Sequence, residues 1–331
     1  MGRRVLKIKI ASKNPLFREC PFEYEPGYLF TADPGCADYD WLVVFDDLAS
    51  EERLACPRER TMLVTWEPVS IKNYCRAFTR QFGHLLTNRP ESAERHPHYH
   101  LGRGYFPWFN GRTYGENKAF RIPAKTKGIA AVCSSKAMRW TRHAERIAIL
   151  RRLVAEVPGA EWYGHGVCEF ARKCDVMDEY RYHVAIENQI GPHYWTEKLA
   201  DAFLCESLPF YAGAPDIAED FPAEAVVPIP IDDPAEAVRI VKSAMASDEW
   251  SKRIDAIREA KSRLFSEFNF WAQVVKVVKA EAGQEIAREA GPVVVRPRRY
   301  LRRHSLSANL EDGLFHVRQY LSGVGLWKKM S

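Results

Sequence analysis

Short apolar runs alternate with longer amphipathic stretches along most of the 331 residues. The first series holds VLKIKIA at 5–11, WLVVFDD at 41–47, MLVTW at 62–66, an amphipathic stretch from Ile71 to Phe82, and HLLTN at 84–88. A second series opens with GIAAVCSS at 128–135 and continues through the helix HAERIAILRRLVAEV, the strand AEWYGHG and the strand YRYHVAIEN at 180–188. It goes on with the helix TEKLADAFLCES, the strands LPFYAG and AVVPIPI, the helix PAEAVRIVKSAM and one long helical stretch from Asp248 to Ala282. Apolar strands separated by helices predict mainly parallel sheets covered by helices, here in two α/β domains. The polar segment GRTYGENKAFRIPAKTKG at 111–128 has no periodicity and reads as an interdomain linker. The expected division is 1–125 for a first α/β domain, 126–290 for a second and 291–331 for a tail. Ligands of such sheets bind beyond the carboxyl ends of the strands, so the strand-to-helix turns are the places to look.

Composition is that of an ordinary soluble globular chain, 46% hydrophobic and 27% charged. Lysines interrupt the longest apolar runs well short of a membrane span. MGRRVLKIKIASK makes a poor signal peptide, and Leu6 breaks the myristoylation pattern, so a cytoplasmic protein is expected. Eight scattered cysteines without a Cys-x-x-Cys pair argue against a zinc or disulfide framework. His96, His98 and His100 would share a face if extended, but no cysteine or carboxylate completes a shell, and a surface loop without metal is the reading. The net charge of +5 belongs to the tail: six Arg and two Lys face Glu311 and Asp312 after residue 290, and the rest is nearly neutral. Basic residues mixed with aromatics there suit an anionic lipid surface, which would place the protein peripherally on the inner membrane; a solvated or intramolecular tail is the alternative. No nucleic-acid recognition motif accompanies the charge.

The stretch IENQIGPHYWTEK at 186–198 is the most unusual turn. A strand that looks buried on both faces ends by delivering Glu187 and Asn188. Tyr194 follows, Thr196 is a hydroxyl N-cap, and Glu197 and Lys198 form the first helical turn. A helix N-terminus beside a lysine is a natural diphosphate site, and the carboxylates can accept from ribose or sugar hydroxyls. The plainer alternative is a helix cap with a solvated lysine. A second turn offers Ser134, Ser135 and Lys136 to a phosphate, Arg146 sits in the following helix, and the glycines of YGHG at 163–166 allow close backbone approach.

From Tyr180 to Ala214, YRYHVAIENQIGPHYWTEKLADAFLCESLPFYAGA resembles the donor-binding signature of the α-1,3/1,4-fucosyltransferases, glycosyltransferase family 10. The order and spacing from Glu-Asn to Thr-Glu-Lys agree, as does the continuation through the Pro-Phe-Tyr-Ala-Gly-Ala run. Ile186, Gln189 and Trp195 depart from the family pattern, and these departures bear on the sugar rather than on the diphosphate. The resemblance implies a GT-B fold, two Rossmann-like domains facing a central cleft, with GDP-fucose as donor, no obligatory cofactor or metal, and inverting transfer by direct displacement. It implies that Arg146, Asn188, Tyr194, Glu197 and Lys198 hold the donor, with Arg146 and Lys198 neutralising the diphosphate; Ser134 and Lys136, read from their own turn, and Glu187 are the further donor candidates. Glu187 either faces the site or orients Asn188. Inversion needs a carboxylate base from the amino-terminal half. Glu67, Glu91 and Glu94 are the candidates, with Glu91 chosen, while Asp46 and Asp47 read as a strand-end turn. The expected function is transfer of fucose to a glycan or lipopolysaccharide-type acceptor. The alternatives are another nucleotide sugar on the same fold, and a non-catalytic nucleotide-sugar or glycan-binding protein.

Overall fold

The structure is a computed structural model that describes residues 4–105, 107–108, 110–134, 142–282 and 293–323. The chain forms two compact units, Met1–Tyr105 with Phe270–Ser331, and Phe106–Asn269.

The first unit carries strands β1 (Leu6–Ser12), β2 (Phe22–Glu23), β3 (Tyr28–Thr31), β4 (Trp41–Phe45), β5 (Glu52–Arg53), β6 (Thr61–Val64), β7 (His84–Thr87) and β8 (Tyr99–Leu101). Its sheet runs β2-β3-β1-β4-β6-β7-β8, parallel throughout except for the β2–β3 pair. Every residue of WLVVF in β4 is buried, as a continuous apolar run in a central parallel strand requires. The stretch 71–82, expected to be an amphipathic helix, forms only the single turn α1 (Arg76–Thr79). In the irregular segment before it, Asp46 takes the Lys72 ammonium at 2.6 Å and the buried Tyr74 hydroxyl. Another single turn, α2, spans Glu91–Glu94.

The second unit holds β9 (Lys127–Val132), β10 (Glu161–Tyr163), β11 (Tyr180–Ile186), β12 (Leu208–Ala212) and β13 (Val227–Pro228) in the parallel order β10-β9-β11-β12-β13. Helices α3 (Tyr114–Ala119), α4 (His143–Glu156), α5 (Glu197–Leu204), α6 (Pro234–Ala246) and α7 (Glu249–Ser266) belong to it. Its core joins the sheet to these helices through Ile129, Val184, Leu153, Phe203, Val238 and Leu264. AVVPIPI contributes only the two-residue edge strand β13, because Pro228 and Pro230 donate no ladder hydrogen bonds.

Two expectations about boundaries are corrected. The segment 111–128 is no free linker. It contains α3, opened by a reciprocal Thr113–Glu116 capping box, and its polar residues have buried partners. Arg112 pairs with Asp178 at 3.1 Å, Asn117 with Asn110 at 2.6 Å, and Lys125 reaches the Cys205 carbonyl and the Ser207 hydroxyl. Burial pushes the Lys125 pKa down to about 8. The break between units therefore falls at Tyr105/Phe106 rather than at residue 125.

Nor is the stretch from Asp248 to Ala282 one helix. After α7 the buried Asn269 donates its side-chain amide to Leu264 O and Phe265 O at 2.9 and 3.1 Å, ending the helix. Helix α8 (Phe270–Ala280) then returns to the first unit, where Phe270 and Trp271 pack on Phe17. The tail follows it: Val294–Val295 pair with β5, and helices α9 (Arg298–His304) and α10 (Leu306–Gly323) bury Ala308 completely and Asp312 nearly so. Asp312 takes Arg302 at 2.9 Å and Arg298 at 3.8 Å, while Asp47 accepts the Arg298 amide at 3.0 Å. Much of the basic charge is thus spent inside the unit, and residues 293–323 are part of it rather than a separate tail.

Candidate functional site

The turn after β11 is fixed from within. Glu187, wholly buried, extends the ladder by donating its amide to Ala212 O at 2.9 Å. Its carboxylate then accepts from the Thr196 amide at 2.8 Å and from the Thr196 hydroxyl at 2.7 Å. Thr196 is the N-cap of α5, accepting from Lys198 N at 3.3 Å, so one carboxylate ties the strand end to the helix start. Gly213 makes room for this arrangement; a Cβ there would lie 2.0 Å from the Tyr211 hydroxyl and 2.8 Å from Glu187 Cγ. Between the two ends, Asp216 accepts from the His193 amide at 2.9 Å, where the backbone adopts φ 59°. Tyr194 is buried. Trp195 packs against Phe221 and Phe268 and donates its indole N–H to Asp220 at 2.7 Å. Its departure from the family pattern is therefore a core substitution in this loop, not a change at an open sugar site.

The charges around this turn are unequally matched. Lys198 Nζ lies 3.2 Å from Glu197 and 3.6 Å from Glu187. Burial alone would lower its pKa, but the two carboxylates hold it well above the ordinary lysine value. Burial raises the Glu187 carboxyl against the pull of Lys198; at Glu197 burial is outweighed by Lys198 and Lys173, and the pKa falls. Arg146, in α4 and only 6% exposed, is different. Its Nη1 donates to Asn188 Oδ1 at 3.0 Å, its Nε is buried without a partner, and among the described residues no carboxylate pairs with it. A buried guanidinium without a counter-charge is costly unless something anionic completes it.

Arg146, Lys173, His183 and Lys198 line a small cavity beside the end of β11. At about 10 Å³ it holds roughly one water. Lys173 pairs with Asp201 at 2.6 Å. His183 is buried, its Nδ1 lacks a partner, and burial with help from Lys173 drives its pKa down to about 3. The arrangement can accept a phosphate group through cationic side chains. The expectation of free helix amides needs correcting at one point, since the Thr196 hydroxyl already takes Lys198 N.

The remaining expected residues are dispersed. Ser134 follows β9 at intermediate exposure; Ser135 and Lys136 lie outside the described residues. Gly164 of YGHG serves packing, for a Cβ there (φ 146°) would lie 2.1 Å from Cys133 O. In the first unit Glu91 is exposed at the start of α2, whereas Glu94 is buried and paired with Arg89 at 3.1 Å. Arg89 also donates to the backbone oxygen of Glu67 at 3.0 Å. Of the three histidines His98 is exposed in a turn, as expected of a surface loop, but His96 is buried with Nε2 bonded to Phe82 O at 3.2 Å, and His100 lies half-buried in β8. His183 and Lys173 went unnoticed in the sequence. A histidine inside an apolar strand was the available signal for the first; nothing in the local pattern marks the second.

No family model matches the chain. Over 55 residues it is 34% identical to Alpha-(1,3)-fucosyltransferase FucT of Helicobacter pylori, a match covering 17% of this chain and 12% of that protein. Two solved structures share its fold. One is an α1,3-fucosyltransferase with GDP-fucose, at a TM-score of 0.51 and 16% identity, over 88% of this chain and 94% of the other. The second is an α1,3-fucosyltransferase with GDP, at 0.53 and 16%, over 87% and 94%. The fold is GT-B, with two Rossmann-like α/β units, as the resemblance implies; the alternation of strands and helices predicts the two α/β units alone.

Proposed function

We infer that the chain is a glycosyltransferase of the α1,3-fucosyltransferase family, taking fucose from GDP-fucose to a hydroxyl of a glycan or lipopolysaccharide-type acceptor. The observation that carries this reading is Arg146: a buried guanidinium joined to Asn188 and, among the described residues, paired with no carboxylate, set beside Lys198 at the end of β11. The fold shared with an enzyme solved with GDP-fucose supports the donor.

In this reading the acceptor oxygen attacks the anomeric carbon from the face opposite the nucleotide, inverting it. The bond from that carbon to the diphosphate oxygen breaks, and the electron pair leaves with GDP. Arg146 and Lys198 stabilise the charge as it develops, so the reaction requires no obligatory cofactor. Asn188, Tyr194 and Glu197 orient the nucleotide sugar, together with Ser134 and Lys136, while Glu187 acts through Thr196 to position them. The acceptor proton passes to a carboxylate, assigned to Glu91 because Glu94 is held by Arg89.

The anionic membrane surface proposed as a partner rests on α10. Leu306, Leu310, Leu314, Val317 and Tyr320 are all more than half exposed along it, although Asp312 already binds two of the arginines. Among the described residues no helix is long and apolar enough to cross a membrane. A thermal-shift screen of GDP, UDP, CDP and their sugars tests the donor. Stabilisation by GDP and GDP-fucose above the others supports the reading; preference for UDP or CDP sugars moves it to another donor. GDP binding without transfer to any acceptor in a broad panel would favour a binding protein.

A further inference from the structure

We propose a second site, in the first unit: a zinc-class divalent metal site formed by His84, His100 and Glu281. The side-chain ligand atoms of these three residues lie within 4.8 Å of one another. His84 opens β7, His100 lies in β8, and Glu281 follows α8. The cluster therefore sits at the amino end of β7, away from Arg89 and the carboxylates near its other end.

The tautomer of His84 follows from its surroundings. Its Nε2 is 2.9 Å from Glu59 O, and a carbonyl can only accept, so Nε2 carries the proton and Nδ1 presents a lone pair. Metal-bound histidines are held in this way, the distal N–H given to a backbone carbonyl. His84 Nδ1 faces His100 Nε2 at 3.1 Å. Two nitrogens bound to one tetrahedral zinc at ordinary bond lengths stand about 3.3 Å apart. Without metal, His100 Nε2 must donate to His84; a shift of its proton to Nδ1 turns both lone pairs inward. The Glu281 carboxylate has no hydrogen-bond partner among the described residues and can move in as the third ligand. A cavity of about 240 Å³ opens against His84, His98 and Glu281, leaving room for a water in the fourth position. Two imidazoles and a carboxylate suit zinc, with cobalt and nickel as close substitutes. A bound ion would cross-link the chain after α8 to β7 and β8, constraining a long loop.

The test uses the untagged full chain, treated with chelator, dialysed and titrated with Zn²⁺ by calorimetry. One zinc per chain, a raised Tm, and the visible absorption of tetrahedral Co²⁺ are expected. His100→Ala and Glu281→Gln should each weaken Zn²⁺ binding by at least about 100-fold. His84→Ala is avoided because the ring is buried in the fold. Absence of saturable Zn²⁺ binding, or unchanged affinity in both variants, overturns the site. GDP binding is expected to survive chelation, so this outcome is independent of the donor site.

Discussion

Replacing Arg146 by Met should move stability and donor binding in opposite directions. The guanidinium is 6% exposed and, among the described residues, makes one hydrogen bond, to Asn188 at 3.0 Å, and pairs with no carboxylate. Losing that bond costs about 1 kcal/mol, while relief from burying an uncompensated charge is worth several. Arg146→Met is therefore expected to melt at or above the wild-type temperature. For a unit of this size each kcal/mol is worth roughly 2–4 °C, so even a net gain of about 1 kcal/mol is measurable by scanning fluorimetry. GDP binding should move the other way. Two charge-assisted bonds to the diphosphate, at about 1.5–3 kcal/mol each, amount to roughly 3–6 kcal/mol, or at least about a hundredfold in Kd. Calorimetric titration with GDP reads this directly. A variant that melts several degrees lower and binds GDP as tightly as wild type would refute the reasoning, because Arg146 would then be an ordinary structural residue.

Glu91→Gln should abolish transfer while leaving GDP affinity unchanged; Glu94→Gln should instead lower stability by about 3–5 kcal/mol in chemical denaturation, because it orphans the buried Arg89. His183 has a folded pKa of about 3 against 6.5 when unfolded, so the unfolded chain binds more protons between those values and stability falls as pH drops through that window. The loss reaches up to about 5 kcal/mol, and His183→Gln should flatten the pH slope of the unfolding free energy whatever it does at pH 7. Leu310→Glu with Leu314→Glu should leave Tm nearly unchanged, since both side chains are more than half exposed, yet reduce sedimentation with anionic vesicles. Unaltered sedimentation removes the membrane from the partners. Deleting α9 and α10 would be a poorer test, because it also strips Ala308 and Asp312 from the first unit.

Local chemistry was legible in the sequence wherever its partners were local. Thr196 caps α5 as its position foretells, and β11 is buried on both faces as its apolar run requires. The turn from Glu187 to Lys198 carries its polar groups within a dozen residues, so its oddity shows in one line of sequence. Interactions made across the chain left no such mark. Arg112, Asn117 and Lys125 look solvated until Asp178, Asn110 and Cys205 are placed beside them. The return of α8 to the first unit depends on Phe17 and on the cap made by Asn269, which a periodicity search reads through. Trp195 reads in the sequence as a departure bearing on the sugar; its indole is instead directed by Asp220 and Phe221 into the core. His84, His100 and Glu281 are brought together only by the sheet and the end of α8, so the sequence shows three unrelated residues.

Turnover of GDP-fucose by the purified wild-type chain, with GDP release and product mass followed across a glycan acceptor panel, bears most directly on the proposed activity. A product heavier by one fucose with inverted anomeric configuration, formed faster from GDP-fucose than from any UDP or CDP sugar and lost in Glu91→Gln, is the expected result. Tight GDP binding with no transferred sugar on any acceptor, or transfer with retained configuration, would contradict it.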